Sequence, residues 1–292
     1  PYVHGGILYK RDDENHVNTI NEHDIKPIDI VVVNLYEFQK ALEKGNPEDI
    51  IENIDIGGPS MVRSAAKNHK DVLIVTDPGD YDELLQRLRN DDIDLAYRQK
   101  LAMKAYSLTA FYDSVIARYF SKLTDEESKY KTYGFEKEND LRYGENPGQE
   151  AALYNDPFVK GLMENIEVIH GKEMSYNNYN DLNPALELAQ ELGENAVVAL
   201  KHQSPCGVAQ KDTIYESYIK AFECDSQSIF GGIVAVNGIV DEKTASKMNE
   251  IFLEIIAASD FTDEALEILT QKKNVRLVRV NFDNETVKEE IR

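Results

Sequence analysis

Cysteine is nearly absent from these 292 residues. Cys206 and Cys224 are the only two, too few for a disulfide framework and in keeping with a reducing, cytoplasmic compartment. Basic residues are scarce as well: 32 Lys and Arg stand against 53 Asp and Glu, a formal net charge of −21. A surface of that sign repels phosphate backbones and anionic lipid, so neither nucleic acid nor a membrane is expected as a partner. A small anionic substrate remains compatible with it, because a few local Arg, Lys and backbone N–H groups can hold one phosphate inside an acidic protein. No apolar run approaches the ~20 residues that span a bilayer.

Several catalytic signatures are missing too. No GxGxxG follows a strand pattern and no GxxxxGK[ST] occurs, which argues against a nicotinamide dehydrogenase and a P-loop ATPase. The six histidines (His4, His16, His23, His69, His170 and His202) show no HExxH or Cys–His zinc spacing, so no metal is expected. Pro205-Cys206 is followed by Gly-Val-Ala with no second cysteine, unlike the PCxxC of nucleobase deaminases. Cys206 therefore reads as a small buried residue.

What is present is an ordinary apolar share of 42% and a length suited to about two domains. Residues 28–34 (IDIVVVN) read as a strand buried on both faces of a parallel sheet. A helix follows around 46–53, then a Gly57-Gly58-Pro59-Ser60 loop that opens a second helix, then a strand at 71–76. Residues 80–122 read as two helices. A charged stretch through residue 140 breaks the pattern and marks a boundary. Beyond it come strand-like 166–170, a helix in NPALELAQEL, strand 196–200, a helix at 214–223, the segment FGGIVAVN, a helix at 242–252 and strand-like EIIAAS. Strands alternating with helices predict an α/β protein. The sequence opens on Pro1 in mid-motif and closes on VKEEIR, so truncation at both ends is the expectation.

Ligands in open parallel sheets sit beyond the carboxyl ends of strands. Asn34 and Tyr36 follow strand 28–33, and Lys201 and His202 follow strand 196–200, before a tight turn read at Pro205-Cys206-Gly207. A neutral imidazole can take a proton while a neighbouring ammonium stabilises developing negative charge. The backbone N–H groups of the Gly57–Ser60 loop suit an anion. Asp55 precedes that loop and Lys67 lies two turns into the helix; with Tyr36 they compose a candidate acid–base set, although on spacing alone they read as surface residues.

Read as strings, HGGIL, VVVNLYEF, ENIDIGGPSMVRSAAKN, LRYGENP, GKEMSYNNYNDL, LKHQSPCGVA and FGGIVAVN resemble, in order, the AICAR formyltransferase/IMP cyclohydrolase family of purine biosynthesis. The resemblance covers nearly the whole chain and is weakest at 80–135 and after 275. It implies that residues 1–122 form a methylglyoxal-synthase-like cyclohydrolase domain. Residues 123–140 would be a charged linker, and 141–292 the first part of a cytidine-deaminase-like formyltransferase domain without zinc. By resemblance, Lys67, Tyr36 and Asp55 serve ring closure of formylated AICAR to IMP, with Val33, Asn34 and Ile56 lining that nucleotide site. His202 would be the general base and Lys201 the oxyanion stabiliser in formyl transfer from 10-formyltetrahydrofolate to AICAR. Arg142, Tyr143, Asn178, Gly231 and Glu254 would contact the ribotide, in a site shared across a homodimer. Two departures stand out: Glu37 replaces the Pro of NLYPF, and Gly148 replaces the His of NPHQ. The alternatives are a nucleotide-binding fragment without turnover, or a regulatory or interaction domain that keeps the motifs without the activity.

Overall fold

The chain forms two compact units, Pro1–Glu136 and Lys137–Arg292, each combining helices and strands. The computed structural model describes residues 1–283 apart from 125, 127, 160, 164 and 165. The tail VKEEIR and part of the charged segment 123–140 lie outside the described residues.

The first unit contains α1 (Tyr2–Leu8), α2 (Glu14–Glu22), β1 (Ile30–Val32), α3 (Phe38–Lys44), α4 (Pro47–Glu52), α5 (Gly57–Lys67), β2 (Leu73–Val75), α6 (Tyr81–Asn90) and α7 (Leu95–Thr124). β1 and β2 pair in parallel, Val31 beside Ile74. β2 is buried throughout, under Val62, Ala65 and Ala66 of α5 and Leu101 and Ala105 of α7. β1 corrects the sequence reading. Only Val31 is buried, while Ile30 and Val32 are 38% and 52% exposed. Side chains alternate across a strand, and the described residues cover only one face of this one. α5 also begins three residues earlier than expected, so Gly57 and Gly58 form its first turn rather than a loop before it.

From Glu136 onward come a two-stranded sheet of β3 (Glu136–Leu141) and β4 (Ala151–Asn155), then β5 (Glu167–His170), α8 (Tyr176–Leu192), β6 (Ala196–Lys201), β7 (Ser204–Gln210), α9 (Ile214–Cys224), β8 (Ile233–Val240), α10 (Glu242–Met248), β9 (Ile255–Phe261), α11 (Asp263–Leu269) and β10 (Arg276–Arg279). Six strands form one sheet in the order β5-β10-β9-β8-β6-β7. This sheet is mixed. β8, β9 and β10 run parallel, whereas β5, β6 and β7 each pair antiparallel. The two-residue link between β6 and β7 permits only a hairpin for that pair. Alternation along β6 feeds both faces: Val197 and Ala199 pack with α9, α10 and α11, and Val198 and Leu200 pack with α8.

α8 starts seven residues before NPALELAQEL and runs through Pro184. A capping box fixes its start, with Ser175 Oγ accepting from Asn178 N and Asn178 Oδ1 accepting from Ser175 N. An interior proline costs about 3 kcal/mol. Full burial of Leu182, Ala185, Leu186 and Ala189, at ~1.5–3 kcal/mol per large apolar side chain, offsets it. α10 is shorter than the expected 242–252 and stops at Met248.

Candidate functional site

In the first unit Asp55 organises the turn between α4 and α5. Its Oδ1 accepts from Gly58 N at 2.7 Å and its Oδ2 from Tyr36 N at 3.4 Å. The carboxylate thus occupies a backbone N–H of the α5 amino terminus that the sequence offered to an external anion, a placement the helix dipole favours. The Tyr112 hydroxyl accepts from Asp55 N and donates to Asn53 O, both at 2.9 Å. Tyr112 is buried on α7, and burial raises its pKa above the ordinary tyrosine value. It was not anticipated, because within LAMKAYSLTAFYDSVIARYF it reads as one more core aromatic.

Tyr36 and Asp55 are thus brought together through the Tyr36 backbone, with the Tyr36 ring exposed. Val33 extends the sheet, its N–H donating to Val75 O at 3.0 Å. Asn34 is exposed, and Ile56, at the N-cap of α5, is 77% exposed. Lys67 is the last residue of α5. At 1.5 Å rise per residue it lies about 15 Å along the helix from Gly57. The structure therefore groups Tyr36, Asp55 and Ile56 but sets Lys67 at the opposite end of the helix.

In the second unit Arg142, Tyr143, Asn178 and Glu254 line one cavity of about 470 Å³. Lys172, Glu173, Phe252 and Arg276 complete the part that matters chemically. Asn178 is 4% exposed and donates from Nδ2 to Glu254 Oε2 at 3.1 Å, so α8 holds the carboxylate in place. Arg142 lies over the Tyr143 ring, 4.9 Å from its centroid, and donates to its hydroxyl at 3.3 Å. The cavity's place at the sheet edge follows from the strand directions. Glu254 immediately precedes β9 and Arg276 begins β10, so it opens at the amino ends of the parallel strands. β5 and β6 run antiparallel to their neighbours, which brings their carboxyl ends to that same edge.

Lys201 ends β6 and donates from Nζ to Phe230 O at 2.8 Å. Two of its three N–H donors remain for other acceptors. Gly231 has φ +71° and its N–H donates to Phe252 O at 2.8 Å, linking the Lys201 region to a cavity-lining residue. His202 is exposed and occupies, with Gln203, the two-residue turn between β6 and β7. The expected turn at Pro205 is therefore misplaced: Pro205 lies within β7, the edge strand, where a missing N–H is tolerated. Both turn residues have positive φ, 51° and 60°, and the carboxylate of Asp181 on α8 accepts from Gln203 N at 2.9 Å. Positive φ also bears on Gly148, at +93°, where a side chain would be strained. Glu37 is the N-cap residue of α3 and pairs with Lys40 at 2.5 Å.

The molecule is thus a mixed α/β protein with a cleft carrying Arg142 and Arg276 on one unit and a turn held by the Asp55 carboxylate on the other. Residues 65–292 match the family model described as the AICARFT/IMPCHase bienzyme. The chain is 50% identical over 285 residues to the bifunctional purine biosynthesis protein PurH of Clostridioides difficile, covering 96% of this chain and 56% of that protein. It is also 50% identical over 291 residues to the PurH of Bacillus mycoides, covering 98% and 57%. The chain belongs to the AICARFT/IMPCHase bienzyme family, and spans just over half the length of these relatives. The crystal structure of ForH overlays 41% of this chain and 63% of its own at 36% identity, with a TM-score of 0.37.

Proposed function

We propose that this chain carries catalytic groups for both final steps of inosine monophosphate synthesis, one step in each unit. The carrying observation is that four residues assigned to the ribotide by resemblance, Arg142, Tyr143, Asn178 and Glu254, line the same cavity. In formyl transfer the amine nitrogen of AICAR attacks the formyl carbon of 10-formyltetrahydrofolate, the co-substrate. His202 takes the proton from that nitrogen while Lys201 stabilises the oxyanion. Collapse breaks the bond from the formyl carbon to the folate nitrogen, which leaves protonated. In ring closure the carboxamide nitrogen attacks the new formyl carbon and the oxygen leaves as water. Asp55, Tyr36 and Lys67 handle those protons, and Val33, Asn34 and Ile56 line the nucleotide.

On this reading the first unit is a methylglyoxal-synthase-like domain over 1–122, joined through 123–140 to a cytidine-deaminase-like domain from 141. The protein works in the cytoplasm as a homodimer, without a metal. The test is an assay of both activities in a protein that carries this chain. His202→Asn is expected to abolish formyl transfer and leave cyclisation of formylated AICAR near the parental rate. Equal loss of both activities in a folded variant would sink the two-site assignment.

A further inference from the structure

Three cations, Arg142, Lys172 and Arg276, face one cavity in a chain of net charge −21. Among the described residues none of the three has a carboxylate within ion-pair distance. The carboxylate of Glu254 is engaged instead by Asn178. Arg276 is the most firmly placed of the three. Its backbone N–H donates to Glu254 O at 2.9 Å, and its Nε and one Nη donate to the single carbonyl of Glu173 at 3.1 and 3.0 Å. That fixes the guanidinium plane at the cavity wall and leaves its other amino group without a hydrogen-bond partner among the described residues. Burial lowers the Arg276 pKa below its ordinary value, with nearby Arg142 adding to the effect and Glu254 opposing it. Two guanidinium groups facing one cavity, in partial burial and with no ion-paired carboxylate among the described residues, are complementary to an anion that bridges them.

We propose that Arg276 is a ligand-binding residue of this cavity, and that Arg276 and Arg142 take the phosphate monoester of the ribotide between them. This rests on the reading that the cavity is the ribotide site. Glu254, held by Asn178, is then left to accept from ribose hydroxyls. Lys172 supplies a third positive charge at the rim.

Calorimetric titration of the protein with three probes tests this: AICAR, the corresponding riboside without phosphate, and ribose 5-phosphate. Arg276→Ala is expected to weaken AICAR and ribose 5-phosphate by about 10- to 100-fold, the usual worth of a charge-assisted hydrogen bond, and to leave the riboside unchanged. Arg276→Lys should recover part of the loss, with circular dichroism confirming that both variants fold. Unchanged AICAR and ribose 5-phosphate affinities in Arg276→Ala overturn the assignment. An equal loss for the riboside also overturns it, since Arg276 then merely props the Glu173 segment. If AICAR binds no tighter than ribose 5-phosphate but Arg276→Ala weakens both, the role of Arg276 stands and the purine reading falls. Failure of the parental protein to bind any probe overturns both.

Discussion

A Cβ on Gly58 would sit 2.5 Å from Asp55 Oδ2 and 2.8 Å from Leu35 Cδ2. That is where the Asp55 carboxylate receives the Gly58 N–H, so the glycine is required by close approach rather than by backbone angle. Gly58→Ala is expected to cost about 1–3 kcal/mol, the range for overpacking, read as a lower urea midpoint. Ring closure should fall with it as Asp55 is displaced. Asp55→Asn keeps an acceptor for Gly58 N but removes the charge, and should slow cyclisation by roughly 10²–10⁴-fold if Asp55 is a positioned acid–base group. Lys67 discriminates further. Its role by resemblance predicts a similar loss for Lys67→Ala with formyl transfer retained, although it stands at the far end of α5. Parental cyclisation rates in Lys67→Ala would return it to being a solvated helix terminus.

At the scale of the element, the β6–β7 hairpin puts His202 on a turn whose two positive φ angles ordinarily select Asn-Gly. Gln203→Gly should therefore raise stability by about 1 kcal/mol, measured by urea unfolding, because a non-glycine residue there bears the left-handed penalty. His202→Asn is the cleaner probe of the imidazole than His202→Ala, since Asn tolerates that backbone. Strand β6 was legible from the sequence because AVVAL is apolar at every position and buried on both faces. The turn was not, since Pro205 drew the eye and the Asp181 carboxylate that braces Gln203 comes from 22 positions upstream. α1 and α2 were missed for related reasons. HGGIL carries two glycines and α1 has no side-chain cap. α2 is capped by Asp13 but buries only Ile20, so it leaves no apolar period to read. The candidate sites were legible as family strings. Tyr112 and Arg276, which complete them, lie in segments where the strings fade.

Across the whole molecule, burial raises the pKa of Tyr97, Tyr112, Tyr179 and Tyr218 above the ordinary value of 10.0. Each folded value lies above its unfolded one. The stability this lends is complete below pH ~10 and is lost as pH rises through the folded values. Urea midpoints should be flat toward pH 9 and fall above pH 10, with the phenolate absorbance of the four lagging that of the exposed tyrosines. The chain has no tryptophan to obscure the signal. Tyr112→Phe should lose about 1–3 kcal/mol by orphaning Asp55 N. The cavity carries a different consequence. Its walls come from the end of β3, the cap of α8, the start of β9 and the first residue of β10, so no contiguous stretch contains it. During synthesis, a nascent chain that ends before Arg276 has cleared the ribosome holds an unfinished cleft. The cleft is then completed in one step, as β10 joins the sheet beside β9.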